Sequence, residues 1–345
     1  MEAHVLSRSS IPAGPCHTAA RRNRWHLNTK PKNSVLQVDL YTAKSKVLGF
    51  IGIGHMGQPI AMRLLDHGYR LLAFDRSPEK AKELMRHGAA RASDVAKLAR
   101  GADVILTSLP DDQIVRQLYS GPEGVFANAR PGSVVIEMST VRPSTSRELY
   151  AAGKKLGLSV LDVAISGSTP AAEAGALTLL AGGDRPVFNA AKPIFEAIAK
   201  QYFYMGASGA GTTMKLVANA LLGVGMQAIA EAAAFGQKAG IERNLLFDVM
   251  AKLAVISPAH VGKLERAKNR DYSAQFPLRL MNKDFRLILE KAAEVQASMP
   301  ATASAFSINA AEAANGTEED FSAVIRIMEQ LAELEHAAKP RAGQQ

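Results

Sequence analysis

Lys215 and Asn219 stand four residues apart in Gly209-Ala210-Gly211-Thr212-Thr213-Met214-Lys215-Leu216-Val217-Ala218-Asn219. On a helix that spacing is about one turn, so the ammonium and the amide leave the same face. Their neighbours are small or apolar. Burial removes the hydration of an ammonium and lowers its pKa, which turns a lysine into a general acid or base near neutral pH. The competing reading is a core-helix lysine that snorkels to water. A second candidate is Asp162-Val163-Ala164-Ile165-Ser166-Gly167-Ser168. It places a hydroxyl and a close-approach glycine at a strand end, where backbone N–H groups form a nest for an anion such as a substrate carboxylate.

The element that must position a cofactor lies upstream. Val47 to Ile53 is a continuous apolar run, suited to a strand covered on both faces. It leads into Gly52-Ile53-Gly54-His55-Met56-Gly57, a helical stretch from Gln58 to His67, and a strand from Tyr69 to Phe74 that ends in Asp75. The three glycines allow a tight turn, close approach of a pyrophosphate, and close helix–strand packing. The helix N-terminus offers N–H groups and a positive dipole to the phosphates. Asp75, 18 residues after Gly57, is placed to bond an adenosine ribose. A carboxylate there repels a 2′-phosphate and favours NAD, whereas Arg76 and Ser77 beside it could accept the phosphate of NADP; the balance leans to NAD.

Strand-like runs at Asp103 to Leu109, Ser133 to Met138 and Ser159 to Ile165 alternate with helical stretches, including Pro143 to Leu156. A turn of small residues and a further strand follow to Gly183, and Tyr202 to Tyr204 is strand-like. The alternation predicts an α/β fold with a Rossmann-like, doubly wound, mostly parallel sheet. Ligands of such sheets sit at the carboxyl ends of the strands, which puts Leu109-Pro110 and Ser139-Thr140 on the cofactor rim. Beyond about residue 207 only helical patterns remain, over about Gly211–Ala239, Leu245–Lys252, Leu280–Ala297 and Asp320–Ala338. The expected organisation is a basic tail over 1–46, a dinucleotide-binding domain over 47–207 and an all-helical domain over 208–340. Lys283-Asp284, at the start of the third helical stretch, could reach back to a cleft or stand in solvent.

The chain of 345 residues carries a net charge of +9, but residues 1–46 hold eight basic and two acidic side chains. The remaining body is close to neutral, without the basic stripe of a nucleic-acid binder. The tail reads as disordered and has no apolar core of a secretory signal. It is compatible with a mitochondrial transit peptide, a solvated tail, or an over-extended start; the expectation is a cytoplasmic protein, with mitochondria the alternative. The single cysteine, Cys16, lies in the tail, so the body holds no disulfide or cysteine metal site, and no metal-ligand cluster is evident. The charge-free run Leu216 to Ala230 falls short of the roughly 18 to 20 apolar residues that span a bilayer, so no membrane span is expected. A helix apolar on nearly all sides predicts cover by other helices or a second subunit, hence a homodimer or homotetramer.

Over roughly residues 47–338 the chain resembles the β-hydroxyacid dehydrogenase family, relatives of 3-hydroxyisobutyrate dehydrogenase and tartronate semialdehyde reductase. Four motifs fall in the family's order: the loop Phe50–Gly57, the stretch Asp162–Gly167 with Ala174-Gly175 and Leu177 beyond it, the segment Gly209–Asn219, and Lys283-Asp284. The resemblance implies a nicotinamide-dependent hydride transfer involving a small carboxylate-bearing hydroxyacid or semialdehyde. In it, Lys215 would be the proton donor and acceptor, Asn219 would hold the substrate, and Ser166 and Gly167 would bind its carboxylate. Leu109, Pro110 and Thr140 would touch the cofactor, and Lys283 and Asp284 would border the nicotinamide pocket. Two positions depart from the family pattern, Ala164 for the usual proline and Ser168 for a second glycine, which leaves the exact substrate open. The alternatives are an imine reductase, which usually lacks the lysine, and a nucleotide-sensing protein that has lost catalysis; Lys215 counts against both.

Overall fold

The computed structural model describes residues 45–313 and 318–334. The expectations for the tail up to residue 44, Cys16 included, and for a last helix beyond residue 334 lie outside the described residues. The first stretch alternates strands and helices. It runs β1 (Val47–Ile51), α1 (Gly57–Asp66), β2 (Arg70–Phe74), α2 (Pro78–Arg86), β3 (Ala90–Arg91), α3 (Val95–Gly101), β4 (Val104–Thr107), α4 (Asp112–Tyr119), α5 (Val125–Asn128), β5 (Val134–Glu137), α6 (Pro143–Lys155), β6 (Ser159–Ser166), α7 (Thr169–Glu173), β7 (Leu177–Gly183), α8 (Arg185–Ile198) and β8 (Ala199–Gly206). Helices follow: α9 (Ala210–Lys238), α10 (Arg243–Met250), α11 (Pro258–Lys268), α12 (Leu278–Glu294), α13 (Pro300–Ala313) and, after a 3-10 turn at Phe321–Ala323, α14 (Val324–Leu331).

The strands form one sheet in the order β3-β2-β1-β4-β5-β6-β7-β8. All neighbours are parallel except β6 and β7. The β6–β7 connection is too short for the crossover that a parallel return needs. Strand β1 lies between β2 and β4, so the winding reverses there and opens a crevice at the strand carboxyl ends. Apolar side chains pack both faces. Leu48, Phe50, Leu106 and Ile136 face the α1/α8 side, and Ile51, Ile105 and Val135 face the α3/α5 side. This two-sided burial is why β1, β4 and β5 read as unbroken apolar runs. Strand β1 stops at Ile51, two residues before the apolar run ends, because Gly52 turns to φ +94°.

Helix α9 is 29 residues long and, by length and composition alone, could cross a membrane. Half of its most apolar window is instead buried inside the protein, against the sheet at one end and α12 and α14 along its length. Gly223 makes this possible: a Cβ there would lie 2.3 Å from the Phe285 ring. Helices α11 and α13 lie outside the helical patterns that the sequence shows. The pattern of α11 is obscured because Lys263 points inward, its Nζ 2.6 Å from the buried Asp320 carboxylate.

Candidate active site

The glycine loop joins β1 to α1 at the crevice. A Cβ on Gly52 would lie 2.2 Å from the Ser108 carbonyl oxygen, and one on Gly57 only 1.9 Å from the Gly52 carbonyl oxygen. These two glycines are required by the fold itself. Gly54 differs: a Cβ there would meet nothing within 4 Å, so the packing of the protein itself does not require a glycine at this position. The N-cap of α1, Met56, supplies no side-chain hydrogen bond. Asp75 braces the loop, its Oδ2 accepting from the Ile53 N–H at 2.8 Å and its Oδ1 from the Ser77 N–H at 2.9 Å. Lys80 stands 3.8 Å from the same carboxylate. Arg76, Ser77 and His55 are exposed. An open backbone at Gly54, a helix N-terminus without a side-chain cap and an acid at the end of β2 fit a dinucleotide cofactor.

On the other side of β1, the Leu109 N–H donates to Ser139 Oγ at 2.8 Å, which joins the exits of β4 and β5. Pro110 is exposed and Thr140 half-buried beside them. Lys283 reaches this rim from α12 and donates to the Thr140 carbonyl at 2.5 Å. It also stands 3.0 Å from Asp284 Oδ1. Asp284 is buried, and its Oδ2 accepts from the Asn219 amide at 2.5 Å. The structure thus brings Thr140, Lys283, Asp284 and Asn219 into one connected group. Arg142 adds a second tie across the crevice by pairing with Glu290 of α12 at 2.8 Å.

Lys215 lies one turn before Asn219 on α9 and makes no hydrogen bond or ion pair with another described residue. Burial lowers its pKa from 10.5 to about 8; the Asp284 charge pulls it up and the Lys283 charge pushes it further down. Lys215 keeps some exposed surface, so cleft water screens part of this effect.

Ser166 ends β6 half-buried, while Gly167 and Ser168 are exposed. Gly167 takes φ +143°, which favours glycine, and a Cβ there would lie 2.8 Å from Leu177. Ser168 occupies the N-cap of α7 without capping it. Among the described residues, no hydrogen bond joins Ser166, Gly167 or Ser168 to Lys215 or Asn219. Their tie is through β6 and Asp162, whose Oδ1 accepts from the Gly209 N–H at 2.8 Å and Oδ2 from the Thr212 N–H at 3.0 Å. Asp162, the first residue of the stretch expected to receive a substrate carboxylate, is buried and caps α9. Gly211 lets that helix end approach the sheet, since a Cβ there would lie 2.3 Å from the Leu180 carbonyl oxygen. The capping role had one sequence signal: Gly209-Ala210-Gly211 opens a long helix with no capping side chain of its own.

Two family profiles match. Residues 47–206 match the NAD binding domain of 6-phosphogluconate dehydrogenase, and residues 209–328 match the NAD-binding domain of NADP-dependent 3-hydroxyisobutyrate dehydrogenase. The chain is 38% identical over 293 residues to the NAD-dependent L-serine dehydrogenase of Pseudomonas aeruginosa, covering 82% of this chain and 98% of the relative. It is 36% identical over 290 residues to the 2-(hydroxymethyl)glutarate dehydrogenase of Eubacterium barkeri, covering 84% and 96%. The chain belongs to the β-hydroxyacid dehydrogenase family. Among solved structures, the Mycobacterium tuberculosis 3-hydroxyisobutyrate dehydrogenase with L-serine superposes with a TM-score of 0.75 at 32% identity, over 82% of this chain and 99% of that one. As a β-hydroxyacid dehydrogenase the protein is an NAD(P)-dependent oxidoreductase, and the matched domains are of the nicotinamide-dinucleotide-binding kind.

Proposed function

We propose that the protein interconverts a small β-hydroxyacid and its semialdehyde, with Lys215 as the general acid and base. The observation that carries this is a lysine without a hydrogen-bond or ion-pair partner among the described residues, with its pKa lowered to about 8, one helical turn from Asn219. The relatives' names supply the substrate class. 3-Hydroxyisobutyrate, L-serine and 2-(hydroxymethyl)glutarate all carry a hydroxymethyl group on the carbon next to a carboxylate, and they differ in the third substituent.

A nicotinamide bound in the crevice would supply or take up the hydride. In reduction, charge grows on the carbonyl oxygen, and Lys215 as ammonium stabilises it and donates a proton. In oxidation, neutral Lys215 accepts the hydroxyl proton. Asn219, its amide nitrogen committed to Asp284, offers its carbonyl oxygen to the substrate hydroxyl. The Ser166 hydroxyl and the Gly167 turn receive the carboxylate, and Ser168 adds a hydroxyl beside them. Asp75, fixed at the end of β2, supports a preference for NAD, since it would repel a 2′-phosphate. The exposed apolar side chains Val217, Leu221 and Phe235 along α9 support a homodimer or homotetramer.

The test screens the purified protein with NADH and NADPH against tartronate semialdehyde, methylmalonate semialdehyde, succinic semialdehyde and glyoxylate, with Lys215→Ala alongside. Turnover of one or more by the unaltered protein, lost in the variant, is expected. Full activity in Lys215→Ala would remove the lysine from the mechanism. Tight cofactor binding without any turnover would favour a sensor.

A further inference from the structure

Beneath the cofactor rim lies a buried acid that the mechanism does not use. Glu137 ends β5, pairs in register with Thr107 of β4, and is 2% exposed. Its Oε2 accepts from Thr107 Oγ1 at 2.5 Å and its Oε1 from the Ser139 N–H at 2.7 Å. Thr107 Oγ1 lies 2.7 Å from the Tyr119 hydroxyl. With the Thr107 proton given to Glu137, Tyr119 must be the donor to Thr107, so the chain of donors runs toward the carboxylate. Ser139 in turn accepts the Leu109 N–H at 2.8 Å.

Holding a carboxyl in this place is costly. Burial pushes the pKa of Glu137 up, and the hydrogen bonds from Ser139, Thr107 and Tyr119 pull it back. Among the described residues, no lysine or arginine bonds or pairs with Glu137. An apolar residue would fill the volume without that cost. What an apolar residue cannot supply is a polar group for each strand exit at once, here Oε2 for Thr107 and Oε1 for the Ser139 N–H. Those exits lead to Leu109-Pro110 on one side and Ser139-Thr140 on the other, and the Thr140 carbonyl also receives Lys283.

We propose that Glu137 is a positioning residue for the cofactor rim. Its two oxygens lock Thr107 and Ser139, and through Ser139 the Leu109 N–H, so that Leu109, Pro110 and Thr140 meet the dinucleotide in one arrangement. The inference rests on the reading that these three residues touch the cofactor.

The test measures dissociation constants for NADH and NADPH by fluorescence titration, with steady-state kinetics, for Glu137→Gln, Glu137→Ala, Ser139→Ala and the Glu137→Ala/Ser139→Ala double variant. Glu137→Gln keeps an acceptor for the Ser139 N–H, and its cofactor Kd should stay within about threefold of the unaltered protein. Glu137→Ala and Ser139→Ala should each weaken binding about tenfold or more, the scale of a lost hydrogen bond. Turnover at saturation should change less than Kd does. The double variant should bind little worse than Glu137→Ala, because Ser139 acts through the same connection. Wild-type Kd in Glu137→Ala, or effects that multiply fully in the double variant, would overturn the proposal. If Glu137→Ala fails to fold, Ser139→Ala decides: an unchanged Kd with an unchanged melting temperature overturns it. Binding by the unaltered protein together with unaffected variants would count against Glu137 alone; no binding by the unaltered protein would remove the cofactor-rim reading and this inference with it.

Discussion

Replacing Lys215 by methionine should make the protein more stable and inactive. Methionine keeps most of the length of the side chain and removes the charge. The drop of the Lys215 pKa from 10.5 to about 8 corresponds to about 3 kcal/mol by which the folded state disfavours the ammonium. Cleft water screens part of this, since Lys215 keeps some exposed surface, so a gain of about 1–3 kcal/mol near pH 7 is expected. The sign follows from linkage. Below about pH 8 the lysine is protonated in both the folded and unfolded chain, and the folded state bears the whole cost. Between about 8 and 10.5 the folded chain has lost the proton while the unfolded chain still binds it, so the unaltered protein gains stability with rising pH. The advantage of Lys215→Met is therefore flat below pH 8 and fades toward 10.5. Urea unfolding of both proteins from pH 6 to 10 measures it. Turnover should fall about 10²–10⁴-fold, the usual contribution of a general acid or base. A variant that is less stable at pH 7, a stability gain that does not shrink from pH 8 to 10, or retained turnover would refute the reasoning.

The pH dependence of turnover should carry the same group: reduction declines above about pH 8, oxidation rises through it, and Asp284→Asn moves both midpoints down because the Asp284 charge raises the Lys215 pKa. Midpoints unmoved in Asp284→Asn would exclude that coupling. Gly54→Ala should leave the melting temperature within a few degrees yet weaken cofactor binding at least tenfold, since its Cβ meets no protein atom and faces outward. Gly57→Ala, whose Cβ would sit 1.9 Å from the Gly52 carbonyl oxygen, should instead lower the melting temperature itself, at a cost of about 1–3 kcal/mol. Asp75→Ala should lower the ratio of kcat/KM for NADH over NADPH by about tenfold or more, at some cost in loop order because the Ile53 and Ser77 N–H groups lose their acceptor. An unaltered ratio would mean that Asp75 serves the loop alone.

What was legible in the sequence is what neighbours along the chain determine. The glycine loop, the acid after β2 and the Lys215-Asn219 spacing are each fixed within about one element, so residue type and spacing suffice. The alternation of strand and helix gave the sheet, and the lack of strand patterns after β8 gave the helical part. What was not legible depends on partners far away in sequence. Asp162 caps α9 across 47 and 50 residues, at Gly209 and Thr212. Glu137 looks like the polar end of an apolar strand until Thr107 is seen beside it. Lys263, turned inward to Asp320, spoils the amphipathic pattern of α11. In α13 the run of alanine, serine and asparagine has no strong apolar face to signal a helix. The position of Asp75 points to a ribose, whereas its two hydrogen bonds to the Ile53 and Ser77 N–H groups depend on loop geometry that residue spacing does not reveal.

The crevice contains two lysines in different surroundings, and under the mechanism proposed above that difference would separate their roles. Lys283 is satisfied twice, by the Thr140 carbonyl at 2.5 Å and the Asp284 carboxylate at 3.0 Å. Together these contacts tie α12 to the exit of β5. Lys215 has burial without such contacts, and the nearby Lys283 charge adds to the loss. A proton that must leave and return is better carried by the lysine whose charge is least supported. Asp284 mediates between them. Its Oδ2 takes the Asn219 amide, while its Oδ1, near Lys283 but outside hydrogen-bond geometry, is left without a hydrogen bond in a buried place. That incompletely satisfied carboxylate keeps Lys215 from falling further. The poise of Lys215 is thus a difference between burial and a single negative charge, set by residues on two helices that Thr140 and Lys283 hold in register.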